Sequence, residues 1–339
     1  MSAKQSPVLQ VDDLHVEFTG YEGVVNAVRG VDISINEGES LGLVGESGCG
    51  KTVTALALMQ LVPRSNGRIT KGRIRLWRGG RETDIATLDR DSTAMREIRG
   101  KDIAMVFQEP MTSLNPSFTV GFQIMESINL HQKVAKRDVR RKAVESLRDV
   151  GLPDPEEAID RYPHELSGGM RQRVMIAMAV ACNPRLLIAD EPTTALDVTV
   201  QAQILDLMRQ YRNRYKMSML WITHDLGVVG ELCDNVMVMY LGQVVEYSSV
   251  PSMFEHPKHP YSQGLLRCLP RIGGDVKEEP EPIQGNVPSP YETPVGCAFA
   301  PRCPRSFALC HDRSPSLAAV EGSQVRCWLY GREEEKSRD

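Results

Sequence analysis

Gly45-Glu-Ser-Gly-Cys-Gly-Lys-Thr52 is the stretch that decides the fold of this 339-residue chain. It follows the apolar run Ser40–Val44, which is typical of a buried strand, and it precedes a helical pattern. The spacing G-x-x-x-x-G-K-[ST] between a strand and a helix is typical of a phosphate-binding loop. Its glycines let backbone N–H groups face phosphate oxygens, and the helix start adds partial positive charge. The sequence therefore predicts a site for ATP and Mg²⁺.

The residues of this loop have separate predicted roles. Lys51 supplies a point charge to the β- and γ-phosphates, and Thr52 is a Mg²⁺ ligand. Cys49 is interpreted as an inert small residue, because no histidine lies nearby in the sequence to activate its thiol. The predicted nucleotide-binding set in this region comprises Gly45, Glu46, Ser47, Gly48, Cys49, Gly50, Lys51, Thr52 and Thr54.

Two further apolar runs are predicted to be strands that end in polar side chains. Residues 186–189 precede Asp190 and Glu191, and residues 219–222 lead into His224. Ligands of parallel α/β sheets bind at the carboxyl ends of the strands. We therefore expect Asp190 to hold Mg²⁺, Glu191 to act as the general base on water, and His224 to contact the γ-phosphate.

The order of the patterns predicts an α/β fold with an appended segment. Apolar runs near residues 40, 103, 186, 219 and 236 alternate with helical patterns, which indicates a parallel sheet. Alternating segments at 14–18, 28–35 and 73–77 favour antiparallel strands, and about 111–180 reads as a helical insert. Because 12 of the 21 prolines lie between Pro251 and Pro315, we predict a core domain at 1–250 and an extension at 251–339.

Composition narrows the functional classes. A formal charge of -4 and a hydrophobic content of 41% indicate a globular protein without the basic surface of a non-specific nucleic-acid binder. The longest uncharged apolar run, 174–182, is far shorter than the roughly 20 residues that cross a bilayer. The first residues lack the pattern of an export signal. We therefore expect a cytoplasmic protein that reaches a membrane only through partners.

Leu166-Ser-Gly-Gly-Met-Arg-Gln-Arg173 closely resembles the signature of ATP-binding-cassette ATPases. The resemblance implies a RecA-like parallel core, an antiparallel β subdomain and a helical subdomain. It also implies a Q-loop glutamine at Gln108 that helps to hold Mg²⁺, a D-loop at Asp197, a switch histidine at His224 and an adenine-stacking ring at Phe18, with Tyr21 as the alternative.

The signature segment itself predicts a second anion-binding helix start. Ser167 suits a helix N-cap, and Gly168 and Gly169 let a ligand approach the backbone. In the family, the signature of one subunit covers the nucleotide held by the other. The resemblance therefore implies a head-to-tail dimer, more often with a homologous sister ATPase than with a second copy.

His256-Pro-Lys-His-Pro-Tyr261 resembles the C-terminal motif of oligopeptide and dipeptide importer ATPases. The resemblance implies a peripheral subunit on the cytoplasmic face of the inner membrane that energises two transmembrane permeases fed by an extracytoplasmic solute-binding protein. Nickel or oligosaccharide cargo is an alternative, and a soluble non-transport cassette ATPase is a weaker one. The exact transported substrate is set by the binding protein and the permeases and not by this chain. Taken alone, the two histidines are interpreted as packing residues.

Four cysteines crowd into the segment 297–327 at spacings x5, x6 and x16: Cys297, Cys303, Cys310 and Cys327. Four thiolates can hold either Zn²⁺ or an iron–sulfur cluster. Peptide importers with this arrangement are similar to proteins described as carrying a [4Fe-4S] cluster. We predict that cluster ahead of zinc, with unligated structural cysteines third.

Overall fold

The computed structural model describes residues 7–194, 196–269 and 282–331. The strands are β1 (Pro7–Gly20), β2 (Gly23–Asn36), β3 (Ser40–Val44), β4 (Gly67–Arg78), β5 (Arg81–Asp84), β6 (Ile103–Val106), β7 (Leu186–Asp190), β8 (Ser218–Thr223), β9 (Asn235–Tyr240), β10 (Gln243–Ser249), β11 (Ala318–Val320) and β12 (Ser323–Val325). The helices are α1 (Lys51–Leu58), α2 (Thr93–Ile98), α3 (Pro110–Ser113), α4 (Val120–His131), α5 (Lys136–Asp149), α6 (Pro155–Ala158), α7 (Gly168–Val180), α8 (Val198–Tyr215), α9 (Leu226–Leu232), α10 (Val250–Glu255), α11 (Pro260–Arg267) and α12 (Ala308–Asp312).

The chain divides into two compact units. The first comprises the described parts of residues 1–9, 34–39 and 75–221, and the second those of 10–33, 40–74 and 222–339. The phosphate loop and the C-terminal extension therefore belong to the same unit. The acidic strand end at 190–191 and the signature helix belong to the other.

The first unit contains the parallel pair β6 and β7 and the helices α2 to α8. Ile103 pairs with Leu186 and Val106 with Ala189, so the two strands end at the same level. Both strands are buried along their whole length, which explains their continuous apolar sequence. The helices α3 to α7 fall in the region read as a helical insert, and the predicted strands 103–107 and 186–189 are confirmed to within two residues.

The second unit is built on a five-strand row in the order β11-β12-β10-β9-β3. β3 pairs with β9 in parallel, whereas β9 with β10, β10 with β12, and β12 with β11 are antiparallel pairs. All five residues of β3 are buried, and the phosphate loop follows directly from them. Near the N-terminus β1 lies between β2 and β4, and the two-residue link from β1 to β2 makes these neighbours an antiparallel hairpin, in agreement with the antiparallel strands predicted there.

The extension shares a hydrophobic core with these strands. Tyr261 is 0% and Phe299 2% exposed, and both belong to the cluster that contains Val238 and Tyr240 of β9. The Tyr240 ring contacts Tyr261 and Phe299 edge-on, with centroids 4.8 and 5.2 Å away. Burying an aromatic side chain of this size contributes roughly 1.5–3 kcal/mol. The described residues after 250 therefore belong to the same folded unit as the phosphate loop.

No helix in the described ranges has both the length and the apolar character that crossing a bilayer requires.

Candidate functional site

The phosphate loop has a backbone that only glycine can adopt at two positions. Gly45 has φ 155°, and a Cβ atom there would lie 2.2 Å from the carbonyl oxygen of Met239. Gly50 has φ 103°, and its Cβ would lie 2.4 Å from the carbonyl oxygen of Ala27. Side chains at either position would clash with fixed backbone. These glycines hold the loop against β9 and β2 and start α1 at Lys51.

Lys51 lies under the loop with 6% of its surface exposed. Its Nζ donates to the carbonyl oxygens of Gly45 and Glu46, at 2.7 and 3.1 Å. Ser47, Gly48 and Thr52 are exposed on the loop and at the first turn of α1. This arrangement supplies a cation, a hydroxyl and a helix start, which is the set that a phosphate chain with Mg²⁺ needs.

Cys49 and Thr54 face the interior. Burial raises the pKa of the Cys49 thiol, which is 2% exposed, so the thiolate needed for nucleophilic chemistry is disfavoured. Thr54 is fully buried, and its hydroxyl donates to the Gly50 carbonyl oxygen at 2.9 Å. The Thr54 side chain therefore supports the first turn of α1 and presents no exposed group to a nucleotide.

Gln108, Glu191 and Thr194 form a hydrogen-bonded group in the first unit. The Gln108 Nε2 and the Thr194 Oγ1 each donate to the Oε2 of Glu191, both at 3.0 Å. Gln108 comes two residues after β6, and Glu191 comes directly after β7. Because these parallel strands end level, both side chains emerge at the same edge. The structure therefore brings together two of the residues that the sequence predicted, with the Glu191 carboxylate held in one orientation.

The end of β7 is conformationally strained. Glu191 has φ 45°, which is uncommon for a residue with a side chain. Asp190, the preceding residue, is 2% exposed, so the strand buries one carboxylate and turns sharply to present the next. Strained backbone of this kind costs about 1–3 kcal/mol and is concentrated at functional sites.

The signature and D-loop residues act as helix caps in the first unit. The Ser167 hydroxyl accepts a hydrogen bond from the Met170 N–H at the start of α7, at 3.3 Å. A Cβ at Gly168 would meet nothing within 4 Å, so the helix start is open to an approaching group. A Cβ at Gly169 would lie 3.2 Å from Val200. The Asp197 carboxylate accepts from the Val200 N–H at 2.9 Å and caps α8.

His224 and the two candidate adenine-stacking rings lie in the second unit. His224 is exposed between β8 and α9. Phe18 is partly buried, and its ring edge would lie 2.7 Å from a Cβ at Gly67, so it packs on the protein. Tyr21 is fully exposed at the turn between β1 and β2. Its ring face is available to a base, whereas that of Phe18 is partly covered.

Glu46 has contacts with the extension that the sequence did not predict. Its backbone N–H donates to the Tyr261 Oη at 2.9 Å. Its carboxylate accepts hydrogen bonds from Nη1 and Nη2 of Arg302, at 2.6 and 3.0 Å. This pairing raises the pKa of Arg302. Arg302 is 256 residues away in sequence, so no local pattern indicates the pair.

The histidine-proline-tyrosine motif is a structural support. The buried carboxylate of Glu246 accepts the N–H groups of Lys258 and His259 at 2.8 and 2.7 Å. His259 is 1% exposed, its Nδ1 accepts from the Tyr261 N–H at 3.1 Å, and burial lowers its pKa to about 3. Packing is thus the observed role of His259, as predicted, whereas His256 is exposed and the same interpretation is wrong for it. Together these bonds set the position of Tyr261 beside Glu46.

The four C-terminal cysteines lie in one small region of the second unit. The Cys297 N–H donates to the Cys310 carbonyl oxygen at 2.7 Å, and both side chains pack in the cluster around Trp328. Burial raises the pKa of Cys297, of Cys303 and, to about 11, of Cys327, and neighbouring thiols of the set add to each rise. Across the described ranges, however, no group of three or more His, Cys, Asp or Glu side chains is arranged to hold a metal.

Two family descriptions match separate parts of the chain. The family described as ABC transporter matches residues 28–194. The family described as oligopeptide/dipeptide transporter, C-terminal region, matches residues 245–310. The second match covers three of the four C-terminal cysteines and the contacts on Glu46 from Tyr261 and Arg302.

Full-length relatives and solved structures agree with these matches. The chain is 48% identical to the oligopeptide transport ATP-binding protein AppD of Bacillus subtilis, over 97% of this chain and 98% of the relative. It is 46% identical to the dipeptide transport ATP-binding protein DppD of Bacillus subtilis, over 97% and 96% of the two chains. A dimeric ATP-binding cassette solved with ADP and Pi has a TM-score of 0.63 at 25% identity, covering 71% of this chain and 98% of that chain. These similarities confirm the predicted α/β cassette fold.

Proposed function

Since this chain belongs to the ATP-binding subunits of ABC peptide transporters, we propose that it binds and hydrolyses ATP to energise the import of oligopeptides or dipeptides. The observation that carries the enzymatic part is the oriented carboxylate of Glu191, fixed by Gln108 and Thr194 at the end of β7. The match of residues 245–310 to the peptide-transporter C-terminal region supports the cargo.

The proposed mechanism gives each motif one task. Backbone N–H groups of the phosphate loop and the Lys51 ammonium bind the β- and γ-phosphates. Thr52, Gln108 and Asp190 are the proposed ligands of Mg²⁺, which supplies charge neutralisation when bound. Glu191 takes the proton of the attacking water, and His224 contacts the γ-phosphate. The geometry of Gln108 supports a second task, because its amide keeps the Glu191 oxygens from rotating.

Adenine stacking is proposed for Tyr21 in place of Phe18. Stacking requires a free ring face, and each stacked base contributes about 1–3 kcal/mol in single-stranded nucleic-acid sites. The full exposure of Tyr21 supports this choice, and the packing of Phe18 beside Gly67 argues against the first choice from sequence.

Partner permeases are proposed to dock on an exposed apolar group in the first unit. Phe107, Met111, Phe118 and Phe122 are 38–62% exposed, and the last two rings stack with centroids 4.6 Å apart. Exposed apolar side chains clustered along a short stretch are typical of protein–protein contacts. Met111 lies within the segment 109–116 that follows the Q-loop glutamine, and Phe107 and Phe118 lie on either side of it in sequence, so binding there would communicate with Gln108. A solute-binding protein outside the membrane completes the proposed importer, with this chain peripheral on the cytoplasmic face.

A second ATPase subunit is proposed to pair head to tail with this chain. Ser167 and Gly168 form an open helix start that supports binding of phosphates from a partner's nucleotide. We propose a homologous sister subunit as the partner, in line with the family.

The cysteines Cys297, Cys303, Cys310 and Cys327 are proposed to hold a metal centre, with [4Fe-4S] ahead of zinc. Four thiols in one small region, two of them buried and two partly buried, provide the donor chemistry of either group. Their present side-chain placement does not converge on one point, so binding requires the four side chains to reorient.

The test of the transport function uses the Glu191→Gln variant in its native membrane. The variant is purified from solubilised membranes with ATP and Mg²⁺, and co-purifying proteins are identified by mass spectrometry. Two permeases, a second cassette ATPase and a peptide-binding protein are the expected partners. A soluble partner or nucleic acid would refute the importer, and a nickel- or oligosaccharide-binding protein would replace the proposed cargo.

A further inference from the structure

Glu46 stands between the phosphate-binding lysine and the C-terminal extension. The Lys51 Nζ donates to its carbonyl oxygen at 3.1 Å. Its backbone N–H donates to the Tyr261 Oη, and its carboxylate accepts hydrogen bonds from both terminal nitrogens of Arg302. The extension therefore contacts a phosphate-loop residue through the backbone and the side chain together.

Arg302 is held by several contacts besides those to Glu46. Its side chain is 4% exposed, and its Nε and Nη2 also donate to the carbonyl oxygens of Gln284 and Ile283 at 3.1 and 3.4 Å. Its guanidinium carbon lies 5.9 Å from the centre of the Tyr240 ring. A guanidinium bound in this way is a rigid fork that matches a carboxylate, a geometry that an ammonium group does not reproduce.

A carboxylate in a phosphate loop is unfavourable for the loop's own ligand. Its negative charge repels phosphate and competes for the ammonium of Lys51. Arg302 counters both effects, because it neutralises the Glu46 carboxylate and donates a hydrogen bond to each of its two oxygens, at 2.6 and 3.0 Å. The Glu46 side chain is 29% exposed, so without Arg302 its charge would be only partly screened by solvent.

We propose that Arg302 is a positioning residue for ATP binding: by neutralising and holding Glu46, it leaves Lys51 free to bind phosphates. Tyr261 assists by fixing the Glu46 backbone. The inference rests on ATP binding at the phosphate loop. It gives the extension a direct part in nucleotide affinity, independent of any metal at the cysteines.

The test measures Mg²⁺-dependent binding of a fluorescent ATP analogue to the full chain and to matched variants. Arg302→Ala is expected to weaken binding by about tenfold, the order of effect of one uncompensated unit charge near the phosphates at a partly exposed position. The double variant Arg302→Ala/Glu46→Gln is expected to return to within about threefold of wild type, because it removes the uncompensated charge. Arg305→Ala, which removes an exposed arginine of the same segment, is expected to bind like wild type.

Three experimental results would overturn the proposal. They are unchanged affinity in Arg302→Ala, a double variant no tighter than Arg302→Ala, or an affinity that follows the metal content measured in each preparation. Should Arg302→Ala fail to fold, Arg302→Lys is compared with Arg302→Lys/Glu46→Gln, and rescue by the second change is again required. If wild type itself binds no ATP analogue, the proposed ATP site fails instead, so the two failures are distinguishable.

Discussion

The buried imidazole of His259 gives a quantitative prediction about pH and stability. The side chain is 1% exposed, and its Nδ1 accepts the Tyr261 N–H, which requires the neutral ring. Burial lowers its pKa to about 3 from the ordinary 6.5. Below pH 6.5 the unfolded chain binds a proton at this residue while the folded protein does not, so acidification favours unfolding.

The size of the effect follows from the two pKa values. The contribution of the neutral His259 ring to the free energy of unfolding is complete above pH 6.5 and is lost progressively as the pH falls towards 3. Between about pH 7 and about pH 5 it amounts to about 2 kcal/mol of unfolding free energy, at 1.36 kcal/mol for each pKa unit.

The assay is urea unfolding at these two pH values for wild type, His259→Asn and His256→Asn. His259→Asn is expected to be less stable than wild type at both pH values, because asparagine fills less of the buried site. Asparagine keeps an N-cap acceptor but does not titrate, so the loss of unfolding free energy between the two pH values is expected to be about 2 kcal/mol smaller in this variant than in wild type. His256 is exposed, and its variant is the control that retains the wild-type pH dependence. An equal acid-induced loss in wild type and His259→Asn would refute the neutral buried imidazole.

Three further predictions concern the catalytic, adenine and cysteine sites. Glu191→Gln is expected to keep ATP binding and to lower turnover by about 10²- to 10⁴-fold, the usual contribution of a general base; normal hydrolysis would exclude it from that role. Tyr21→Ala is expected to raise the KM for ATP by about tenfold through lost stacking, whereas Phe18→Ala lowers thermal stability with little change in KM; the reverse pattern would restore Phe18 as the stacking residue. Anaerobically purified protein is expected to be brown and to contain iron and sulfide in near-equal amounts. The Cys310→Ser variant is expected to lose both, whereas Cys268→Ser keeps them. Colourless, zinc-rich protein would show that the site holds zinc and not the cluster, and metal-free protein would show that the cysteines are structural.

Local patterns were sufficient to predict the phosphate loop and the strands that carry the proposed catalytic residues. Gly45 and Gly50 need conformations that only glycine adopts freely, so their spacing encodes the loop directly. The runs that became β3, β6 and β7 are apolar throughout because these strands are buried on both faces. Because the parallel strands β6 and β7 end at the same edge of the sheet, Gln108 lies beside Glu191.

Contacts between distant parts of the sequence were not predictable in this way. The pairing of Arg302 with Glu46 joins residues 256 apart, and either side chain alone reads as an ordinary surface charge. The position of Thr54 just after the loop predicts a contact with the nucleotide, but its buried hydroxyl donates to the Gly50 carbonyl oxygen at the start of α1. The choice between Phe18 and Tyr21 as the adenine-stacking ring depends on which ring is exposed, and the sequence of two nearby aromatic residues does not indicate this.

We expect the hairpin of β11 and β12 to help keep the protein soluble. β12 pairs with β10 at Glu246 and Tyr247, and thereby covers backbone groups that would otherwise form an open sheet edge. Open edges recruit strands from other molecules, whereas the three-residue β11 is too short to be a good template. A chain cut after residue 250 would keep every nucleotide motif, yet it would expose β10 along this edge and uncover Tyr240. We expect such a fragment to aggregate, so the cassette of this protein cannot be excised at the boundary that its motifs indicate.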